Sequence, residues 1–124
     1  MKLNPDCIRD ILLVVEENTS YSTAMEFSSD TQFNELKHYS TEEILYHIKQ
    51  CELSGLLTRV DWFWGGGCLI HDLSPKGHEF LANIRSDNIW NKTKETAKNV
   101  GSYSLDTLTK IAINVVSSII KNQF

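Results

Sequence analysis

An α+β fold, with helices gathered round a single β-hairpin, is predicted by three features of the sequence. Thr41 to Ser54 carries apolar residues at helical spacing and opens on a capping box formed by Ser40 and Glu43. Leu56 to Trp64 then alternates in strand fashion, meets Gly65-Gly66-Gly67, and returns as Cys68 to Leu73. The three glycines suit a turn because they accept positive φ without a Cβ clash. Ser74-Pro75 opens another helix, with Ser74 as cap and Pro75 at the first helical position. Helix, glycine-tipped hairpin and helix in that order make the shape of a winged helix: a helix-turn-helix-like core with a two-stranded wing, here followed by C-terminal helices.

The remaining elements follow from local chemistry. Asn4-Pro5-Asp6 is a helix start, since Asn4 can cap free amides and Asp6 favours the positive end of the dipole. The first helix is expected from Pro5 to about Glu17, burying Ile8, Ile11, Leu12 and Val15, and ending at Asn18-Thr19-Ser20. Between Tyr21 and Ser40 the pattern is weak. Ser22 to Phe27 reads as a short strand, Ser28-Ser29-Asp30 as a turn, and Gln32 to His38 as a short helical turn in place of a full second helix. The Thr41 helix is expected to bury Ile44, Leu45, Ile48 and Cys51, to expose Glu42, Tyr46, Lys49, Gln50 and Leu53, and to end at Gly55. On the hairpin, Val60, Trp62 and Trp64 fall on one side and Arg59, Asp61 and Phe63 on the other. After the Ser74 helix, Ser86-Asp87-Asn88 is a break, Ile89 to Asn99 is helical, Gly101-Ser102 breaks again, and Leu105 to Lys121 forms the last helix. Its apolar stripe, Leu105, Leu108, Ala112, Val115, Val116 and Ile119, is widened by Ile111, Ile113 and Ile120 beyond what one contact with a core requires. These readings divide the chain into a winged-helix domain, residues 1–86, and a helical extension, residues 87–124, that packs on it or on a partner.

A chain of 124 residues can bury a core without metals or disulfides. Its net charge of −4 lacks the basic excess of a dedicated duplex binder, which draws most of its affinity from phosphate neutralisation. A local basic patch is still compatible with that total. The three cysteines, Cys7, Cys51 and Cys68, are an odd number with no secretory segment before them, so reduced thiols and a cytoplasmic location are expected. No run reaches the roughly 20 apolar residues needed to span a bilayer, and Lys110 and Lys121 alone on the polar side of the last helix are too few for a membrane-surface helix.

The run Leu73-Ser74-Pro75-Lys76-Gly77-His78-Glu79-Phe80-Leu81, taken with Tyr39-Ser40-Thr41-Glu42-Glu43-Ile44, Tyr46-His47-Ile48 and Ile89-Trp90, resembles an uncharacterised winged-helix family, a domain of unknown function common in bacterial genomes and prophages. The resemblance covers nearly the whole chain. It implies a small protein of phage or mobile-element character and carries no established activity or catalytic residues.

Two functions from different classes are expected of such a scaffold. In the first, a DNA-binding transcriptional regulator, the Thr41 helix enters the major groove of double-stranded DNA and the wing lies near the backbone. Lys49, Gln50, Tyr46 and Arg59 then supply the contacts, while Glu42, Glu43 and Glu52 oppose them. In the second, a protein-interaction adaptor or inhibitor, the aromatic cluster Trp62, Phe63 and Trp64 forms a hot spot, against the plainer reading that these rings stabilise their own sheet. Leu108, Val115 and Ile119 of the last helix are candidates for a protein contact or a homodimer. A zinc site is the sharper alternative, because His47-x3-Cys51 and Cys68-x2-His71 have suitable ligand types and spacing. However, Cys68 and His71 point to opposite sides of a regular strand, and buried thiols beside edge histidines are the simpler account. No nucleophile elbow, phosphate loop or dinucleotide fingerprint is present, and no cofactor or enzymatic activity is expected.

Overall fold

The structure, a computed structural model, describes residues 1–123. It is an α+β chain of five helices and a small antiparallel sheet. The helices are α1 (Pro5–Asn18), α2 (Thr41–Leu53), α3 (Pro75–Ile84), α4 (Asp87–Val100) and α5 (Leu105–Gln123). The strands are β1 (Met25–Phe27), β2 (Val60–Trp62) and β3 (Cys68–Ile70), and a single 3₁₀ turn covers Asn34–Leu36. The chain divides into two compact units, Met1–His78 and Glu79–Phe124, with the division falling within the residues of α3. Phe124, the last residue of the expected extension, lies outside the described residues.

In the first unit the expected caps are in place. The Asn4 side chain accepts from the Asp6 amide, and the Ser40 hydroxyl accepts from the Glu43 amide. Each satisfies a donor that has no partner within the first helical turn. One face of α1 is buried through Cys7, Ile8, Ile11, Leu12, Val14 and Val15, and α1 packs on α2 and on the 3₁₀ turn. On α2 the buried face is Ile44, His47, Ile48 and Cys51. This corrects the expected stripe at one position. His47 takes the buried place given to Leu45, and Leu45 is half-exposed. A histidine tolerates that place because both ring nitrogens find partners, as described below.

The expected two-stranded wing is part of a three-stranded sheet in the order β1-β3-β2. The β1 strand pairs with β3 through Met25↔Ile70 and Phe27↔Cys68, and β2 pairs with β3 through Val60↔Ile70 and Trp62↔Cys68. One register runs the length of the hairpin, from the Leu57↔Leu73 bridge at its base to the Phe63 amide on the Gly67 carbonyl at its tip. Gly65, Gly66 and Gly67 close that tip with φ of 88°, 99° and 103°. The register sorts the two faces. Met25, Phe27, Val60, Cys68 and Ile70 are buried on one, while Glu26, Asp61 and Leu69 line up on the other. The short ladder stops where side chains run out of cover, so Trp62, although in line with Phe27 and Cys68, stays partly exposed.

Behind the hairpin, the Ser74 hydroxyl accepts the Gly77 amide to cap α3, and the Ser74 amide donates to the Leu56 carbonyl. That carbonyl lies so close to Gly77 that a Cβ there would collide with it. The second unit contains the helical pair α4 and α5. Ser86 caps α4 through the Ile89 amide, Gly101 ends it in the left-handed conformation at φ 76°, and the Ser104 hydroxyl accepts the Thr107 amide to start α5. Trp90, Thr93 and Ala97 are buried on α4, and Leu105, Leu108 and Ala112 on α5. Among the described residues no helix is long and apolar enough to cross a membrane.

Candidate interaction surface on the second helix and hairpin

The outer side of α2 and the end of β2 form the most distinctive surface of the first unit. Glu42, Leu45, Tyr46 and Lys49 follow each other along the helix, and Trp62 of β2 completes a shallow, almost wholly apolar groove of about 630 Å³. Leu53 extends the same helix face and is 69% exposed. Beyond Trp62 the chain passes through Phe63, which is also exposed, to Trp64, whose ring stands fully in solvent. All three aromatics therefore present surface, Trp64 the whole of its ring and Trp62 and Phe63 the smaller part of theirs.

A small polar latch ties helix to hairpin. One carboxylate oxygen of Glu52, Oε1, accepts from the Lys49 ammonium at 2.9 Å and from the Trp62 indole N–H at 3.0 Å. The same ammonium sits 5.1 Å from the centroid of the Trp62 ring, within cation–π range. A second cluster lies on the opposite face of the hairpin. Asp61 accepts from the Arg59 guanidinium at 3.0 Å, two residues back on the same side, and contacts His71 Nε2 at 2.9 Å across the ladder. The hydrogen bond from His71, then that from Arg59, holds the Asp61 carboxyl below its ordinary range, so Asp61 is ionised beside the Arg59 cation.

These contacts decide what the four residues expected at DNA can offer. Lys49 and Arg59 are each matched to a carboxylate of the chain itself. Tyr46 lines the apolar groove, and Gln50 is half-buried on the neighbouring side of α2. On α5 the structure separates the three candidates. Leu108 is buried in the second unit, Val115 is half-buried, and Ile119 is exposed together with Ile113 and Ile120.

The residues weighed as zinc ligands have other work. The buried His47 accepts the Asn4 amide at Nε2, 2.8 Å away, and its Nδ1 lies 2.7 Å from the Glu43 carbonyl. A backbone amide only donates and a carbonyl only accepts, so the ring is the neutral Nδ1–H tautomer and has no lone pair left for an ion. Burial pushes the Cys7 and Cys68 thiols up to about 12, and Cys51 moves further in the same direction, which keeps all three protonated. Among the described residues no three His, Cys, Asp or Glu side chains gather in a way that would hold a metal ion.

Sequence reasoning identified the exposed face of α2 and the aromatic tip but gave Glu52 and Asp61 no structural role. The signals were present: Glu52 lies three residues after Lys49, and the hairpin register sets His71 against Arg59, diagonal to Asp61.

A family model described as "Hypothetical protein (DUF2513)" matches residues 2–104. The chain belongs to the DUF2513 family. A similar protein of Haemophilus influenzae (strain ATCC 51907 / DSM 11121 / KW20 / Rd), called an uncharacterized protein, is 30% identical over 123 residues, covering 97% of this chain and 99% of its own length. No solved structure matches. The family span takes in the whole of the α2 and hairpin surface and stops at Ser104, the residue that caps α5.

Proposed function

We propose that this DUF2513 chain is a non-enzymatic protein-recognition module, with a winged-helix scaffold whose recognition helix and wing bind a protein and not nucleic acid. The order α1, β1, 3₁₀ turn, α2, β2, β3, with β3 between the other strands, supports the winged-helix reading. The 3₁₀ turn takes the place of that scaffold's middle helix. The observation that carries the functional choice is the state of the charges. A duplex binder needs cations free for phosphate, and here Lys49 and Arg59 are held by Glu52 and Asp61, and the groove beside Lys49 is apolar. Exposed Trp and Phe beside an apolar groove suit a protein hot spot.

A DNA-binding regulator is the second reading, favoured by the same scaffold order and by the position of Lys49 on the exposed face of α2. A mobility-shift titration with duplex DNA at low salt separates the two. The protein-recognition reading expects no retention; retention that weakens steeply with salt and disappears in Lys49→Glu would replace it. The outer stripe of α5 supports a further contact, between two copies of the chain. Ile113, Val116 and Ile120 fall at i, i+3 and i+7, the spacing of a coiled-coil seam.

A further inference from the structure

The groove on α2 also limits what kind of protein segment can fill it. We propose that its occupant is an amphipathic helix of a partner protein, with apolar anchors flanked by Lys or Arg. This rests on the protein-recognition reading and deepens it.

Length and shape come first. From Glu42 to Leu53 the exposed face of α2 runs for about 17 Å at the helical rise of ~1.5 Å per residue. That is about three turns of a partner helix, enough to seat anchors at i, i+3 or i+4, and i+7. The wall opposite α2 is the Trp62 ring, held at a fixed angle by its N–H bond to Glu52. A groove between one helix and one fixed ring matches a second helix better than an extended strand. A strand could pair only along the open edge of β2, where the groove contributes Trp62 alone; its other lining residues lie on α2, which offers side chains.

Charge comes second. Lys49, the groove's cation, is satisfied by Glu52. Glu42 lines the other end, is exposed, and among the described residues has no ion-pair partner. The unmatched charge of the groove is therefore negative, as is the chain's total of −4. A partner carrying Lys or Arg beside its apolar anchors gains at Glu42 and over the aromatic rings, whereas one carrying Glu or Asp meets repulsion. The same sign of charge disfavours an anionic bilayer as the target of the exposed Trp64.

The test uses the full chain, labelled with ¹⁵N, and three synthetic helical peptides. One has Leu and Trp anchors with Lys/Arg flanks, one has the same anchors with Glu flanks, and one keeps the Lys/Arg flanks but has Ser at the anchor positions. The expected result is saturable binding of the first peptide, at least about tenfold weaker binding of the other two, and a similar loss in Trp62→Ala. Glu42→Gln, an exposed change that leaves the fold intact, should remove most of the preference between basic and acidic flanks. The indole N–H resonances of Trp62 and Trp64 should shift, while that of Trp90, buried in the other unit, should stay in place. Equal binding of the basic and acidic anchored peptides would overturn the proposal and leave protein recognition standing. Equal binding of the peptide without anchors, or binding by none of the three, would also overturn it. Retention of duplex DNA in the separate mobility-shift experiment would remove the underlying reading itself.

Discussion

At the scale of single residues, His47 shows how a polar side chain comes to occupy a core position. Its ring has no exposed surface, and it joins the Asn4 amide before α1 to the Glu43 carbonyl one turn earlier in α2, a carbonyl that the helix ladder also uses. It thereby ties the start of α1 to α2 through residues 43 apart in sequence. His47→Ala removes both side-chain bonds and leaves the Asn4 amide without this acceptor beside a cavity, so a loss of about 2–4 kcal/mol is expected in urea unfolding. His47→Gln, which has both a donor and an acceptor, should recover part of it; equal loss in the two variants would mean that volume alone matters. The three thiols give a pH dependence with a definite sign. The unfolded chain releases these protons near the ordinary thiol value of 9.0, whereas the native chain holds those of Cys7 and Cys68 to about 12. Between those values the unfolded state binds fewer protons, so stability is complete below pH 9 and falls as pH rises through the window. Tyr39 acts with the same sign, because burial and its hydrogen bond to Asp10 raise its phenol. The urea midpoint should therefore be flat around neutrality and decline from pH 9 upward, less steeply in Cys7→Ala. A midpoint that rises over that range would refute the assignment.

At the scale of elements, what was legible in the sequence is what local chemistry specifies. The caps at Asn4, Ser40 and Ser74, the apolar spacing of α1 and α5, and the three-glycine turn each lie within a few residues of the structure they produce. The place of β1 was not legible, because its partner β3 lies about 43 residues further on and no local pattern names it. The latch at Glu52 was hidden for the same reason, since Trp62 reaches it from another element. Leu45 was misplaced by spacing alone, which counts His47 as polar whatever its partners. Gly77 and Gly66 separate two reasons for glycine. Gly77 sits inside α3, where Ala would ordinarily improve helix propensity by about 1 kcal/mol. The Leu56 carbonyl fills the space a Cβ would need, and because it is backbone already holding the Ser74 amide it cannot move cheaply. Gly66 has open space around it but a φ of +99°. Gly77→Ala is therefore expected to cost ~3 kcal/mol or more and to loosen the base of the hairpin, whereas Gly66→Ala should cost only about 1–2 kcal/mol. Thermal unfolding of the two variants side by side checks the order, and the reverse order would remove the packing role given to Gly77.

At the scale of the whole molecule, two apolar surfaces belong to two units. The α2 and hairpin groove lies within Met1–His78, and the outer stripe of α5 lies within Glu79–Phe124. Their different chemistry argues for different uses. The groove mixes aromatic rings with charge, as a surface for a foreign partner does. The α5 stripe is aliphatic, with Ile113 40% and Ile120 52% exposed at seam spacing, as a helix that pairs with its own copy would be. A two-fold pairing of this kind uses the same residues on both chains, so one substitution acts twice and its effect on association is steep. Light scattering after size exclusion should show a mass that rises from one chain toward two as concentration increases. The double change Ile113→Ser with Ile120→Ser should return the mass to one chain without moving the Trp62 and Trp64 indole resonances. Trp62→Ala should do the opposite, leaving the mass unchanged. If the wild-type chain stays a monomer at the highest concentration reached, the α5 stripe is not a contact between copies; if Trp62→Ala abolishes the dimer instead, the groove is where the two copies meet.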